Sequence, residues 1–450
     1  MHSTVRSFVS RPMRDARSSN VIIVVGGGPA GRMAALRLAG EGREVTIIEK
    51  RALGGQCVHD GCMLVCALND VARSIESARH LEKMGILKGA VSVDYPALLE
   101  KLEATQDKLR YILNMETTAS GVTVEYGKEA EVRDGVVYVD GIAREADAVI
   151  IAGGGQMNIP DVEGKDLPGT YNARTLRSMK ELPRRLVIVG GGISAAEFAY
   201  IYAAFGCEVT LIARSRLLSM LPDPLLEDAR RDLSGVTILE NCPIEKVLGT
   251  DKVEGVIAGG KEIACDTVLF ATGVKPESPY VTGVAKGEDG SILVDEHMET
   301  SIKGVYAAGD IIGGKCFTPA ARLQGFAAAD AILGHPRKID LSQIPFSVVL
   351  GLDYTVCPAK ENGDVKTLPN IAGPGSYWHV LDGTVGHMQL ETSSSGDILG
   401  FASSGPSTSL VGTYLGYLVR KGVTVHEFSP MMEVHPNSDG LYSMIRFSGE

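Results

Sequence analysis

Short, nearly uninterrupted apolar runs recur along the chain, at Val21–Val25, 148–152, Arg185–Val189 and 267–271. Runs of this length and continuity mark strands buried on both faces of a parallel sheet. Two of them open the same sequence of elements. After Val25 comes Gly26-Gly27-Gly28-Pro29-Ala30-Gly31, a helix through Leu38, and an apolar strand ending at Glu49. After Val189 comes Gly190-Gly191-Gly192-Ile193-Ser194-Ala195, a helix to Phe205, and a strand over 208–213. Between the two units the spacing predicts helices over 64–83 and 95–118. Short alternating strands over 122–139 follow, with turns at Gly127 and Asp134-Gly135. A later strand and turn, Gly304 to Asp310, precedes a helix opened by Thr318-Pro319 and running to Leu333. From Asp340 the texture changes to short alternating strands, turns at 382–384, 393–397 and Gly405, and a helix over 409–420. The expected fold class is α/β: two Rossmann-like dinucleotide-binding domains and a C-terminal α+β domain.

Each glycine-rich turn stands where a dinucleotide fingerprint must stand, between strand and helix. In the first, Gly26 makes the turn, Gly28 lets the backbone approach a pyrophosphate, and Gly31 lets helix pack on strand. The phosphate rests on the helix N-terminus, and Glu49 offers its carboxylate to ribose hydroxyls. In the second, Gly190, Gly192 and Ala195 occupy the same places, with alanine where the third glycine stood. Two complete fingerprints imply two dinucleotides; the competing reading of the second is a degenerate structural duplicate. At its strand end, where an NAD site offers Asp or Glu, the chain reads Ala213-Arg214-Ser215-Arg216. Two guanidinium groups and no carboxylate suit a 2′-phosphate, so NADPH is expected over NADH, unless Arg214 and Arg216 are merely solvated.

Just past the first fingerprint lies Gly54-Gly55-Gln56-Cys57-Val58-His59-Asp60-Gly61-Cys62. The spacing places Cys57 and Cys62 at the entry to a helix running from Met63 toward Met84. Residues five apart rise about 7.5 Å along a regular helix, whereas a disulfide wants Cα atoms within about 6.8 Å. The first turn must therefore be distorted if the thiols bond, and Gly61 tolerates distortion. Alone, such a pair reads as buried small residues or a structural bridge; flanked by two nucleotide fingerprints, it reads as a redox dithiol.

Composition narrows the choice. A net charge of −11 and no basic stripe interleaved with aromatics argue against nucleic-acid binding. No apolar run reaches the roughly 18 residues of a membrane span. Eight cysteines in 450 residues are too sparse for a disulfide scaffold and suit a reducing cytoplasm with one catalytic pair. Met1 to Asn20 carries Arg6, Arg11, Arg14 and Arg17, which reads as a disordered basic tail, with an organellar targeting peptide as the alternative.

Together these motifs resemble the pyridine nucleotide-disulfide oxidoreductases of the glutathione reductase, dihydrolipoamide dehydrogenase and mercuric reductase group. The resemblance runs from Val21 to the C-terminus. It implies an FAD-binding domain split over 21–155 and 282–339, an NAD(P)-binding domain over 156–281, and a dimer-forming domain over 340–450. It implies that Asp310 holds the ribityl chain of FAD, that Cys57 attacks substrate, and that Cys62 faces the flavin. It also implies an acid/base histidine, His435 of the partner subunit in a homodimer, oriented by a carboxylate; here that carboxylate is Asp439, one residue early and one methylene short of the usual glutamate. Glu197 matches a glutamate that pairs with a flavin-side lysine in relatives, but Cys66 stands where the lysine would be. Cys66 is expected to be a small apolar filler, with a third redox thiol as the alternative. Gly153-Gly154-Gly155 replaces an alanine-threonine-glycine-serine run.

The expected function is an FAD-dependent NAD(P)H:disulfide oxidoreductase acting on a small disulfide. The alternatives are a relative acting on a metal ion, a quinone or a thioether/ketone coenzyme, or a flavoprotein serving only as a binding or assembly subunit.

Overall fold

The computed structural model describes residues 21–368, 378–379, 381, 384–432 and 434–435. Residues 1–20, the 382–383 part of one expected turn and Asp439 lie outside them. Helices are numbered in chain order: α1 (Pro29–Gly40), α2 (Gly55–His59), α3 (Cys62–Lys83), α4 (Tyr95–Ala119), α5 (Ile193–Ala204), α6 (Asp223–Asp232), α7 (Thr318–Ile332), α8 (Thr408–Lys421) and α9 (Val425–Phe428).

Val21–Val25 is the centre of a five-stranded parallel sheet. Glu44–Glu49 pairs on one side and Ala148–Ile151 on the other, with Thr123–Tyr126 and Val305–Ala307 outermost. Apolar contacts cover both faces, which is why these strands lack polar alternation. Arg185–Val189 repeats the arrangement between Glu208–Ile212 and Thr267–Phe270, flanked by Val236–Leu239 and Thr170–Asn172. The predicted turn at Asp134-Gly135 closes an antiparallel hairpin, both residues having positive φ, 50° and 84°.

The C-terminal part forms an antiparallel sheet in the order Phe346–Val349, Asp353–Cys357, Ile398–Gly405, Met388–Thr392, Asp364–Leu368, with α8 against the Asp353–Cys357 and Ile398–Gly405 strands. Buried polar contacts tie it to the second unit. Asp228 of α6 accepts from Ser404 Oγ at 2.6 Å and pairs with His387 Nδ1 at 2.7 Å. Asp232 accepts from the Leu352 N–H and the Tyr354 hydroxyl, each at 2.8 Å. Arg73 of α3 reaches Asp353 at 2.7 Å.

One apolar core runs from α3 and α4 through α5 and α6 to the strands around Val348 and Tyr354. Tyr95, Phe198, Tyr202 and Phe205 form its aromatic centre, and the Tyr95 and Tyr202 hydroxyls meet at 2.9 Å. Burying a ring such as Phe198 contributes about 2–3 kcal/mol. α5 is apolar nearly all round because it is covered on all sides. α1 and α7 pack closely through small residues. A Cβ on Gly325 would stand 2.2 Å from the Ala30 carbonyl oxygen, so only glycine permits this approach.

Candidate active site

The distortion expected at the helix entry is present, and the helix starts at Cys62, one residue before the expected Met63. Cys57 lies in the short α2, the chain breaks at Asp60-Gly61, and Cys62 heads α3. The break supplies the distortion that the i, i+5 spacing requires. It leaves the thiols close enough to influence each other's ionisation, with Cys62 Sγ 3.9 Å from Thr318 Oγ1 at the start of α7.

The hydrogen bond from Cys62 outweighs partial burial and, helped by Thr318 and Arg322, pulls the Cys57 thiol down to about 6. Cys62 is pushed up by the same bond, by burial and by the charge on Cys57. At neutral pH the pair therefore carries one negative charge, held on Cys57: the reactive, thiolate form of a dithiol.

The helix that carries Cys57 abuts the first fingerprint: a Cβ on Gly55, its first residue, would stand 2.8 Å from Gly28 Cα. Gly28 caps α1 and Gly192 caps α5, neither with a side-chain hydrogen bond. A Cβ on Gly192 would meet nothing within 4 Å, and one on Gly28 only Gly55 at 3.8 Å. Both helix starts thus present backbone N–H groups to open space, as a pyrophosphate requires. The two turns are built alike, since a Cβ on Gly26 would lie 2.4 Å from the Ala152 oxygen and one on Gly190 2.4 Å from the Ala271 oxygen. They differ at the third position. A Cβ on Gly31 would strike the Gly26 oxygen at 2.0 Å, whereas Ala195 fits, fully buried.

Glu49 is buried, its two oxygens accepting the Gly27 and Arg51 N–H groups, each at 2.7 Å. Each keeps a lone pair for a ribose hydroxyl. Asp310 opens a short turn after Gly309, with burial raising its carboxyl against a hydrogen bond from the Cys316 thiol. Gln56 Oε1, one residue from Cys57, is a buried acceptor with no partner among the described residues. These features fit a flavin dinucleotide on the first unit. At the family departure Gly153, a Cβ would fall 1.7 Å from Tyr280 Oη, so the tyrosine dictates the glycine.

Glu197 is buried, accepts the Val349 N–H at 3.0 Å, and is pushed up to about 7 by burial. No ion pair to it forms among the described residues. Cys66 is exposed, correcting the expectation of an apolar filler; partial burial, Glu197 and Asp70 push its thiol up. Arg214 and Arg216 are both exposed at the second strand end, and Arg216 pairs with Asp223. His435 is exposed at the end of the described chain.

Sequence reasoning missed the shell behind the thiols. Gln106 is fully buried and donates to the Val58 and His59 carbonyls at 2.7 and 3.1 Å. Asp60 is buried and accepts two bonds from Arg51, at 2.8 and 3.2 Å. Buried His59 lies 3.2 Å from the Ala52 and Leu53 oxygens, accepts from Arg110, and is held neutral chiefly by burial. A signal for Gln106 existed: it occupies an apolar-stripe position of α4, in step with Tyr95, Leu99 and Leu102.

Comparison with known proteins follows the same line. Residues 20–325 match the family model described as pyridine nucleotide-disulphide oxidoreductase. The chain is 30% identical over 445 residues to dihydrolipoyl dehydrogenase of Geobacillus stearothermophilus, covering 92% of this chain and 93% of the relative. It is 27% identical over 444 residues to dihydrolipoyl dehydrogenase of Bacillus subtilis, with 92% and 93% covered. Its fold is shared with the HOCl-induced flavoprotein disulfide reductase RclA of Escherichia coli, with a TM-score of 0.81 at 23% identity, covering 94% of this chain and 99% of the other. It is shared equally with LpdA of Mycobacterium tuberculosis, with a TM-score of 0.83 at 22% identity, covering 95% and 99%. No described helix is long and apolar enough to cross a membrane. A redox-shaped thiol pair on a nucleotide turn, in a chain that matches the family model over most of its length, leads to one conclusion: the chain belongs to the pyridine nucleotide-disulphide oxidoreductases, flavin-dependent enzymes that carry electrons between a nicotinamide nucleotide and a disulfide.

Proposed function

We propose that the protein is a homodimeric, FAD-dependent NADPH:disulfide reductase acting on a small disulfide through Cys57 and Cys62. The observation that carries this reading is the pair of free thiols at the step from α2 to α3, on a short helix whose first residue, Gly55, lies against the Gly28 turn. The FAD-binding segments would be 21–155 and 282–339, with Gly26, Gly28, Gly31, Glu49 and Asp310 holding the dinucleotide. The NADPH-binding segment would be 156–281, with Gly190, Gly192 and Ala195 at the pyrophosphate, Glu197 behind them, and Arg214 and Arg216 at the 2′-phosphate. With FAD held by these residues, the site would gain a two-electron carrier between NADPH and the Cys57–Cys62 disulfide.

The remaining chemistry belongs to the chain. The Cys57 thiolate attacks a substrate sulfur, the substrate S–S bond breaks, and a mixed disulfide forms. His435 of the partner subunit, oriented by its carboxylate neighbour Asp439, protonates the leaving thiolate. The now neutral histidine takes the Cys62 proton, the Cys62 thiolate attacks Cys57 Sγ, the bond from Cys57 to the substrate sulfur breaks, and the histidine passes the proton to this second leaving thiolate as the internal disulfide is restored. The exposed apolar residues Leu410, Tyr414 and Tyr417, spaced along one face of α8 in segment 340–450, support a subunit interface there. The charge and cysteine usage support a cytoplasmic setting.

The test is steady-state NADPH oxidation against a panel of low-molecular-weight disulfides, together with anaerobic reductive titration. Turnover of a disulfide and a long-wavelength charge-transfer band on two-electron reduction are expected. A flavoprotein that shows neither with both cysteines intact would be a binding subunit, and the proposal would fail.

A further inference from the structure

The four residues between the thiols are held in a way that the disulfide chemistry does not itself require. α2 has only five residues and cannot hold its own geometry, since isolated short helices are marginal. Its last carbonyls, those of Val58 and His59, are satisfied instead by the Gln106 side-chain amide of α4. The Gln106 oxygen accepts in turn from Arg177 at 2.8 Å, and Arg177 also pairs with Glu103 at 2.9 Å and lies 4.0 Å from Asp60. Arg177 sits in the short turn Leu176–Ser178, just ahead of the central strand of the second nucleotide unit. The clamp therefore joins the thiol step to the second nucleotide unit, within which Arg177 follows the Thr170–Asn172 strand.

We propose that Gln106 and Arg177 are positioning residues for the dithiol, fixing the step from α2 to α3 so that the two sulfurs stay within bonding reach. This rests on Cys57 and Cys62 being the redox couple. Holding two thiols together raises their effective concentration toward each other, which favours the disulfide. Releasing the clamp lets α2 move relative to α3, lowers that effective concentration, and makes the disulfide easier to reduce. Neither residue touches the sulfurs, so the effect appears in the thiol–disulfide equilibrium.

The experiment equilibrates the flavin-loaded enzyme, anaerobically and without nicotinamide, in buffers of varied reduced and oxidised glutathione. Acid quenching, alkylation and mass spectrometry then count the Cys57–Cys62 disulfide. The exchange is balanced: one protein disulfide and two glutathione thiols give two protein thiols and one glutathione disulfide. Gln106→Ala and Arg177→Lys are expected to shift the equilibrium constant toward the dithiol by about tenfold, equivalent to about 30 mV for a two-electron couple. Gln106→Glu guards against misfolding in the alanine variant. It keeps the side-chain size and a contact to Arg177 but has no amide donors, so it is expected to shift the same way, with far-ultraviolet dichroism unchanged. A folded Gln106→Glu within twofold of wild type, or any shift toward the disulfide, would overturn the inference. If the wild-type enzyme forms no Cys57–Cys62 disulfide at any glutathione ratio, the functional reading itself fails, a separate result.

Discussion

Replacing Cys62 by alanine tests the electrostatics of the site most directly. The Cys57 thiol is held at about 6 mainly by the hydrogen bond from Cys62, against a burial effect that works the other way. Without that donor Cys57 should return to at least the ordinary thiol value of about 8.5. At pH 7 the thiolate fraction then falls from about 0.9 to about 0.03, roughly thirtyfold. The rate at that pH changes less, because nucleophilicity rises with pKa: a Brønsted slope of about 0.45 over about 2.5 units returns a factor of about ten. A single-pH rate would therefore show only about a threefold loss. The inflection of the pH–rate profile is the sharper observable. Stopped-flow reaction of the reduced protein with an aromatic disulfide, from about pH 4 to about pH 10, should show the Cys57 inflection move from about 6 to above about 8.5. An inflection that stays near 6 in the alanine variant would refute the reasoning. Thr318 or Arg322, rather than the neighbouring thiol, would then hold the thiolate.

Glu197 gives a stability prediction, because its buried carboxyl keeps its proton up to about 7. A raised carboxyl favours folding fully below its unfolded value near 4.5 and progressively less as pH rises through about 7. The loss reaches about 3 kcal/mol in mild alkali, so Glu197→Gln should flatten the fall in urea midpoint between about pH 5 and about pH 8.5; an unchanged slope would contradict this. Arg214→Glu should raise the Michaelis constant for NADPH far more than for NADH, and equal effects on both would remove the 2′-phosphate assignment. Gly325→Ala forces a methyl into the Ala30 carbonyl and should cost about 1–3 kcal/mol of stability, read as a lower thermal midpoint; an unchanged midpoint would mean that α1 and α7 separate freely.

Local patterning by itself determined the two nucleotide units. Val21–Val25 and Arg185–Val189 are legible as buried parallel strands because a both-face-buried strand must be apolar throughout, and Gly26, Gly31 and Gly190 stand at positions where a side chain would hit backbone. Regular helices such as Tyr95–Ala119 were readable within a residue or two, their apolar spacing being set by the turn itself. Tertiary structure alone decided the clamp of Gln106 on Val58 and His59 and the approach of Thr318 to Cys62. These contacts join residues 47 to 256 positions apart, and a one-dimensional pattern carries no record of which distant donor meets which carbonyl. The same limit applies to Cys66 and Glu197, where only packing fixed one thiol at the surface and one carboxyl in the core.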